Sequence, residues 1–324
     1  MSGVRQSLHR IVRGSDELAV RQLKELGRLK REVERLQLGV GRQESRTVGS
    51  AHYERLRDAE FRVFSQFGED GIIQYLLARV PIENDTFIEF GVEDYSESNT
   101  RFLLCNDNWR GLILDGGTAH IEFVRLNDLG WQHTLDARSV FITRDNINQT
   151  IADAGISGDI GLLSVDIDGN DYWVLDAIDV VRPRILVTEY NSTFGPDAAV
   201  SVPYDPAFDR TTAHHSTLYW GASLAAFCLA AGRKGLAFIG SNSAGNNAFF
   251  VRRDLLGDLK ELTPKEGWVD ARFRESRDQD GKLTYAGPRA DRISAMADMP
   301  LVDVATGALT TVKHCLRASD SARR

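Results

Sequence analysis

The sequence predicts an α/β fold, a doubly wound, mostly parallel seven-stranded sheet preceded by a helical N-terminal arm. Three observations carry this. Seven short apolar runs occur between residues 86 and 251, and the first five alternate with helical apolar spacing, as in βαβ units. The last two runs are separated only by an Asn/Gly-rich turn at 241–247 (SNSAGNN), which makes one strand there antiparallel. The composition fits one full α/β core plus a small module: 324 residues, 42% hydrophobic, 26% charged, with Gly 28, Pro 8 and Cys 3. Collagen-like, low-complexity and disulfide-scaffold classes are excluded, since each needs an excess of glycine, proline or cysteine.

The arm comes first, at residues 1–46. Leu8, Val12, Ser15, Ala19, Gln22, Leu26, Leu29, Val33, Leu36 and Val40 follow alternating steps of four and three, the a/d seam of a coiled coil, flanked by charges such as Glu25, Arg28, Glu32 and Arg35. Two readings are open: a helix that dimerises or docks, giving a homo-oligomer through residues 1–46, or an amphipathic helix folded back on its own domain. Membrane-surface binding fits less well, because glutamates interrupt the basic face. Gly39, Gly41 and the polar run 42–50 read as the approach to a linker, set at residues 47–60.

The main domain is expected at residues 61–255. Apolar spacing predicts a helix over 64–79, stopped by Pro81. Strands follow at 86–92, 111–115, 140–143, 160–168 and 184–189, with helices at 97–104, 119–129, 146–154 and 172–178 between them. After a long connection, 190–219, come a helix at 224–231 and strands at 236–239 and 248–251. The polar extension 256–324 carries little pattern beyond one apolar run near 299–304.

The surroundings can also be read. The N-terminal residues show no apolar secretory core. The most apolar stretch, LAAFCLAA at 224–231, is far short of the roughly 20 residues that cross a bilayer. Cys105, Cys228 and Cys315 have no metal-ligand spacing and are odd in number, which favours a reducing, cytoplasmic setting. The net charge of −7 divides unevenly: residues 1–46 carry 11 Lys/Arg against 6 Asp/Glu, and the remainder 28 against 40. So acidic a body is not expected to bind nucleic acid.

In doubly wound sheets ligands sit outside the carboxyl ends of the strands, and those ends are acidic here. Glu89, Gly91 and Glu93 follow the first strand, Asp115 the second, Asp145 and Asn146 the third, Asp166 and Asp168 the fourth, and Glu189 and Asn191 the fifth. Lone buried carboxylates are costly, so their recurrence points to a functional cleft. Asp115 stands where a carboxylate accepts hydrogen bonds from ribose hydroxyls. The first turn, GVEDYSES, lacks the glycines that let a backbone approach a pyrophosphate, and its added acids would repel one. A phosphate-free nucleoside with a positive centre suits it, and S-adenosylmethionine has that character.

The segments FSQFGED, FIEFGVEDYSESNTRFLL, GLILDG, ITRDNIN, LLSVDIDGNDYWVLDAI and ILVTEYN, in that order and spacing, resemble an FkbM-type, class I S-adenosylmethionine-dependent methyltransferase over about residues 61–254. The resemblance implies S-adenosylmethionine as cofactor. It implies that Glu89 and Gly91 form the first cofactor motif near the methionine part, that Asp115 holds the ribose, and that Asp145 and Asn146 sit by the adenine. Gln66, Glu69 and Asn99 would be lesser contacts to the methionine end. The second glycine of the usual first motif is missing near Val92 and Glu93.

The sharpest local signal is VDIDGNDY at 165–172. Asp166 and Asp168 are two apart at a strand end, which points them to the same side. Three roles are open. Asp166 contacts the cofactor amine; or Asp166, Asp168 and Glu189 hold Mg²⁺ to orient a substrate diol; or Asp168 is the base. An EF-hand is excluded, because Asp171 and Ala177 stand where its glycine and glutamate belong. His214 and His215, in the long connection, are further candidates for removing the acceptor's proton, and Tyr190, Asn191 and Tyr204 for touching the acceptor. Trp109 and Trp173 read as packing, and 241–247 as a plain turn.

The expected activity is methyl transfer to a hydroxyl of a sugar, glycan or glycosylated small molecule, the substrate class being implied by the resemblance. A metal-dependent DxD glycosyltransferase is an alternative that leaves Glu89 and Asp115 without a purpose. A non-catalytic scaffold working through the arm is another, and it predicts a loss of site carboxylates that is not seen.

Overall fold

The structure, a computed structural model, describes residues 2–126, 129–272 and 274–321, with side chains described between 19 and 316. Along the chain run α1 (Ser2–Ser50), α2 (Glu69–Leu77), β1 (Thr86–Phe90), α3 (Arg101–Asp107), β2 (Arg110–Asp115), α4 (Thr118–Leu126), α5 (Leu129–Gln132), β3 (Leu135–Ser139), α6 (Ile147–Asp153), β4 (Gly158–Val165), α7 (Asp171–Ala177) and β5 (Val181–Glu189). There follow β6 (Val200–Ser201), α8 (Arg210–Ala213), α9 (Leu224–Arg233), β7 (Leu236–Ser241), β8 (Asn247–Arg252), α10 (Pro264–Gly267), α11 (Arg289–Ala295), β9 (Pro300–Asp303), β10 (Leu309–Thr311) and α12 (Val312–Ser321).

Seven strands form one sheet in the order β3-β2-β1-β4-β5-β8-β7. The pairs from β3 to β5 are parallel, and β8 runs antiparallel to both β5 and β7. This is the Rossmann-like arrangement of the class I methyltransferase fold, as expected. Both faces are covered, which is why the central strands read as unbroken apolar runs. Ile88, Phe90, Leu114 and Leu186 pack beneath α6, α7 and α9 on one face. On the other face Phe87, Ile113, Leu162 and Ile185 meet residues of α2, α3 and α4. Pleating puts Glu89 on the Phe87 face, toward α3.

The extension is structured. β9 joins β6 and β10 in a small antiparallel sheet, and Met296, Leu301, Val312 and Leu316 pack with Phe194, Val200 and Tyr219 of the long connection. Among the described residues no helix is long and apolar enough to cross a membrane.

Three local expectations are corrected. The third strand is Leu135–Ser139, not 140–143, and at the sheet edge only its Ala137 is buried. The apolar residues Val140, Phe141 and Ile142 follow that strand and face the strand-end cleft. The helix expected over 64–79 starts at Glu69, because the Asp70 carboxylate accepts bonds from the Val63, Phe64 and Ser65 amides and fixes a loop there. Finally, α1 continues to Ser50, so residues 42–50 are helix rather than linker approach. A Cβ at Gly41 would come within 2.6 Å of Val63 and 2.8 Å of Phe102, so the missing side chain is what lets the helix lie on the domain. Arg101 bonds Glu34 at 2.6 Å and Ser45 bonds Gln74 at 2.6 Å across that contact.

Candidate functional site

A cavity of about 340 Å³ opens at the carboxyl ends of β1 to β4. Gly91 and Glu93 line it after β1, and Asp115 to Gly117 after β2, with His120 from α4. Val140, Phe141 and Ile142 form an apolar wall after β3. Asp166, Ile167, Asp168 and Asn170 close the far side, with Phe208 of the long connection. A cavity of about 500 Å³ also lies between α1 and the domain, so size does not single out the first; position at the strand ends does.

Asp115 is held rigidly. Its Oδ1 accepts from the Gly117 amide at 2.6 Å and its Oδ2 from the Glu93 amide at 2.8 Å. Each oxygen keeps a lone pair for a further donor. His120 Nδ1 stands 3.7 Å from the same carboxylate. Gly91 is required where β1 meets β4: its φ is +70°, and a Cβ would fall 1.6 Å from the Asp166 carbonyl oxygen. The backbones therefore converge beneath the cavity floor.

Three of the acids after β4 have separate environments. β4 ends at Val165, so strand alternation does not carry on to Asp166 and Asp168, yet both line the same cavity. Asp168 adopts φ +56° and bonds Arg210 Nη1 at 2.6 Å on the exposed rim. Arg210 also donates to the Thr217 carbonyl and lies over the Trp220 ring. Asp171 is buried inside the turn, accepting from the Ile167 and Gly169 amides, and burial lifts its carboxyl to about 6. Asp166 lies within hydrogen-bonding reach of Glu189. Burial first, and the charges of Asp168 and Asp171 after it, push Glu189 to about 8. Asp166 is raised well above the usual carboxylate range, by burial and then by Glu189 and Asp168. Each of these two carboxyls is thereby pushed toward its protonated form. Glu189 Oε2 and Asn170 Oδ1 are buried and have no hydrogen-bond partner among the described residues, so polar capacity is left over beside the cavity.

The trio expected to bind Mg²⁺ does not assemble. Among the described residues no group of three or more His, Cys, Asp or Glu side chains is arranged to hold a metal ion. Asp168 is turned to a guanidinium instead, and Asp166 and Glu189 face each other.

The other expected site residues are placed as follows. Glu89 is buried beside the cavity, not in its lining, and accepts from Ser98 Oγ, the Asn99 amide and Thr100. Burial lifts its carboxyl, and these bonds pull it partway back. Asn99 also donates to Ser164 Oγ at 3.1 Å, tying the turn before α3 to β4. Gln66 is exposed ahead of α2, and Glu69 is buried against Asn242 and Asn247. Asp145 and Asn146 do not line the cavity: Asp145 meets the Tyr204 hydroxyl at 3.0 Å, and Asn146 bonds the Thr143 amide and the Phe141 carbonyl. The cavity wall after β3 is instead Val140 to Ile142, with Asn146 bonded to the Phe141 carbonyl behind it.

His214 and His215 stack on each other with ring centroids 4.1 Å apart, and His214 Nδ1 bonds Ser216 Oγ; neither lines the cavity. Burial, and then the charge of His215, lowers His214 from its ordinary value. Tyr190 and Asn191 are committed to structure, donating to the Val269 carbonyl and to the Leu218 and Trp220 carbonyls. In the turn at 241–247 the Asn242 side-chain oxygen accepts the Gly245, Asn246 and Asn247 amides, which makes it a turn, as expected. Trp109 is buried against Gly161, and Trp173 donates to the Val202 carbonyl. Two participants escaped sequence reasoning. Arg210 is a lone arginine in the long connection, at the start of α8, and Phe208 gives no signal except the glycine it packs on, Gly169.

No family model matches the sequence, and none of the curated proteins compared with it matches. Solved structures do. The N-terminal domain of EvdMO1 with SAH bound is 11% identical, covering 68% of this chain and 94% of that one, with a TM-score of 0.37. An O-methyltransferase family protein from Burkholderia thailandensis is 13% identical, covering 74% and 59%, with a TM-score of 0.34. An S-adenosylmethionine-dependent methyltransferase from Clostridium acetobutylicum is 8% identical, covering 52% and 85%, with a TM-score of 0.34. The fold assignment above rests on this chain's own strand order and direction.

Proposed function

We propose that this chain is an S-adenosylmethionine-dependent O-methyltransferase of the FkbM type, acting on a hydroxyl of a sugar, glycan or glycosylated small molecule. One observation carries the reading: among the described residues the strand-end cavity is lined by four acidic side chains, Glu93, Asp115, Asp166 and Asp168, and by no lysine or arginine. Such a lining repels a diphosphate and attracts a cationic nucleoside. The donor set suits the cofactor. Asp115 accepts from the ribose hydroxyls, the Val140–Ile142 side faces the base, and Asp166 and Glu189 stand near the cationic end. When bound, the cofactor supplies an electrophilic methyl group on a positively charged sulfur.

The chain's own part is to orient and to move a proton. In-line displacement needs the acceptor oxygen held behind the methyl carbon, and positioning of that kind accounts for much of the rate. The acceptor's proton must leave as the new bond forms. Asp168, on the rim and 54% exposed, is the carboxylate an entering hydroxyl meets, and Arg210 fixes its direction.

A thermal-shift screen with S-adenosylmethionine, S-adenosylhomocysteine and UDP-sugars, each with and without Mg²⁺, tests the reading. Stabilisation by S-adenosylmethionine and S-adenosylhomocysteine, with no need for Mg²⁺, and none by a UDP-sugar, is expected. Stabilisation by a UDP-sugar with metal, and none by S-adenosylhomocysteine, would replace it with the glycosyltransferase alternative.

A further inference from the structure

We infer that α1 is the dimerisation element of this protein, pairing with α1 of a second copy of the chain in a parallel two-stranded coiled coil along Leu26, Leu29, Val33, Leu36 and Val40. These five residues are each more than half exposed, between 52% and 70%, although all are large and apolar. Leu8, Val12 and Ser15 of the expected seam lie outside the residues whose side chains are described.

The helix has two separate faces. It lies on its own domain through Glu34, Leu38, Gly41, Ser45 and Val48: Glu34 bonds Arg101, Ser45 bonds Gln74, Gly41 abuts Val63 and Phe102, and Val48 is buried. At about 100° per residue the apolar seam is centred about 120° around the helix from that face. Folding back on the domain therefore does not cover the seam, and an isolated soluble helix has no reason to carry a stripe of exposed leucine and valine. From Ala19 to Val40 the seam runs about 33 Å, roughly three heptads, which is the length at which an a/d pattern supports a coiled coil.

The occupant follows from the residues. Assigning a to Leu26, Val33 and Val40 puts Leu29 and Leu36 at d; two of these three a residues are β-branched, and β-branched residues at a with leucine at d favour two parallel strands. Glu25 then falls at g and Lys30 at the following e position. In a parallel pair Glu25 faces Lys30 of the partner subunit, and the reverse contact repeats it by symmetry. Within one chain Glu25 meets Arg28 at 3.1 Å, an exposed pair that contributes little and is easily exchanged. The strip is thus complementary to itself, as a two-fold contact requires. Both domains then hang from the same end of the coil.

Molar mass in solution, measured by light scattering on the full chain, tests the inference. The expected mass is twice the chain's 36.1 kDa at tens of micromolar, falling to 36.1 kDa in the Leu29→Lys, Leu36→Lys double variant with unchanged helical circular dichroism. A monomeric parent protein, or a double variant that stays dimeric, overturns it. If the double variant fails to fold, charge reversal decides. Glu25→Lys alone should raise the dimer dissociation constant by about twofold to thirtyfold at low salt, and adding Lys30→Glu to the same chain should restore it. Failure of the second change to rescue the first rejects the parallel register.

Discussion

The two ends of the central sheet treat acidic residues in opposite ways. At the amino end of β4, Asp159 is met by Arg184 at 2.7 Å and by Arg252, with Glu83 on the far side of Arg184. Burial pushes the Asp159 carboxyl up, but the two guanidinium groups more than offset it and hold it below its ordinary value. At the carboxyl end, Asp166 and Glu189 face each other, and Arg210 goes to the rim instead. Charge at the first end is balanced within the chain. At the second, Arg210 balances Asp168, while burial pushes Asp166 and Glu189 toward their protonated forms. The difference separates acids paired by buried guanidinium groups from acids gathered at the candidate site.

Substitutions can break that contrast from either side. The largest effect is expected for Gly91→Ala, since its Cβ would sit 1.6 Å from the Asp166 carbonyl oxygen with φ at +70°. Strand ends forced apart should lose at least about 3 kcal/mol in urea unfolding, together with any cofactor binding. Arg184→Met attacks the balanced end. Arg184 is 4% exposed, while Asp159 keeps Arg252 and some solvent, so the loss should be about 2–3 kcal/mol. Affinity for S-adenosylhomocysteine should not change; a parallel loss would show that the two ends are not independent.

Glu189→Gln attacks the other end, with an effect spread over pH. Unfolded, Glu189 releases its proton near 4.5, and folded only near 8. Between those values the folded state holds the extra proton, so stability is greatest below about pH 4.5 and declines as pH rises toward 8. The slope is at most about 1.4 kcal/mol per pH unit. Urea midpoints across this range should fall less steeply in Glu189→Gln than in the parent protein. Equal slopes would mean that Glu189 does not keep its proton over this range.

Much of the fold was legible because a parallel sheet buried on both faces writes its strands as plain apolar runs. β1, β2, β4, β5, β7 and β8 stand close to where those runs predict. β3 was not legible, because an edge strand with one buried residue, Ala137, has no such run, while the residues after it do. Gly39 and Gly41 read as helix breakers, whereas Gly41 is the close-packing point of a helix that continues to Ser50. The small sheet of β6, β9 and β10 joins segments a hundred residues apart, and strands of two to four residues leave little pattern. In the site, acids at strand ends were visible as a set, but their separate tasks were not. Glu89 and Glu69 are closed off by bonds within the chain, and Asp145 is turned to Tyr204. Those outcomes depend on turns such as the left-handed one at Asp168, which spacing does not encode.

The central claim is that the carboxyl end of the sheet accepts a phosphate-free, cationic nucleoside through Asp115. Titration calorimetry of S-adenosylhomocysteine into the parent protein and into Asp115→Ala tests it directly. The account predicts binding to the parent, and a loss of about tenfold to a hundredfold in the variant, since hydrogen bonds to a charged acceptor are removed while the fold remains intact. Equal affinity in the two proteins, or binding of uridine diphosphate in place of S-adenosylhomocysteine, would contradict it.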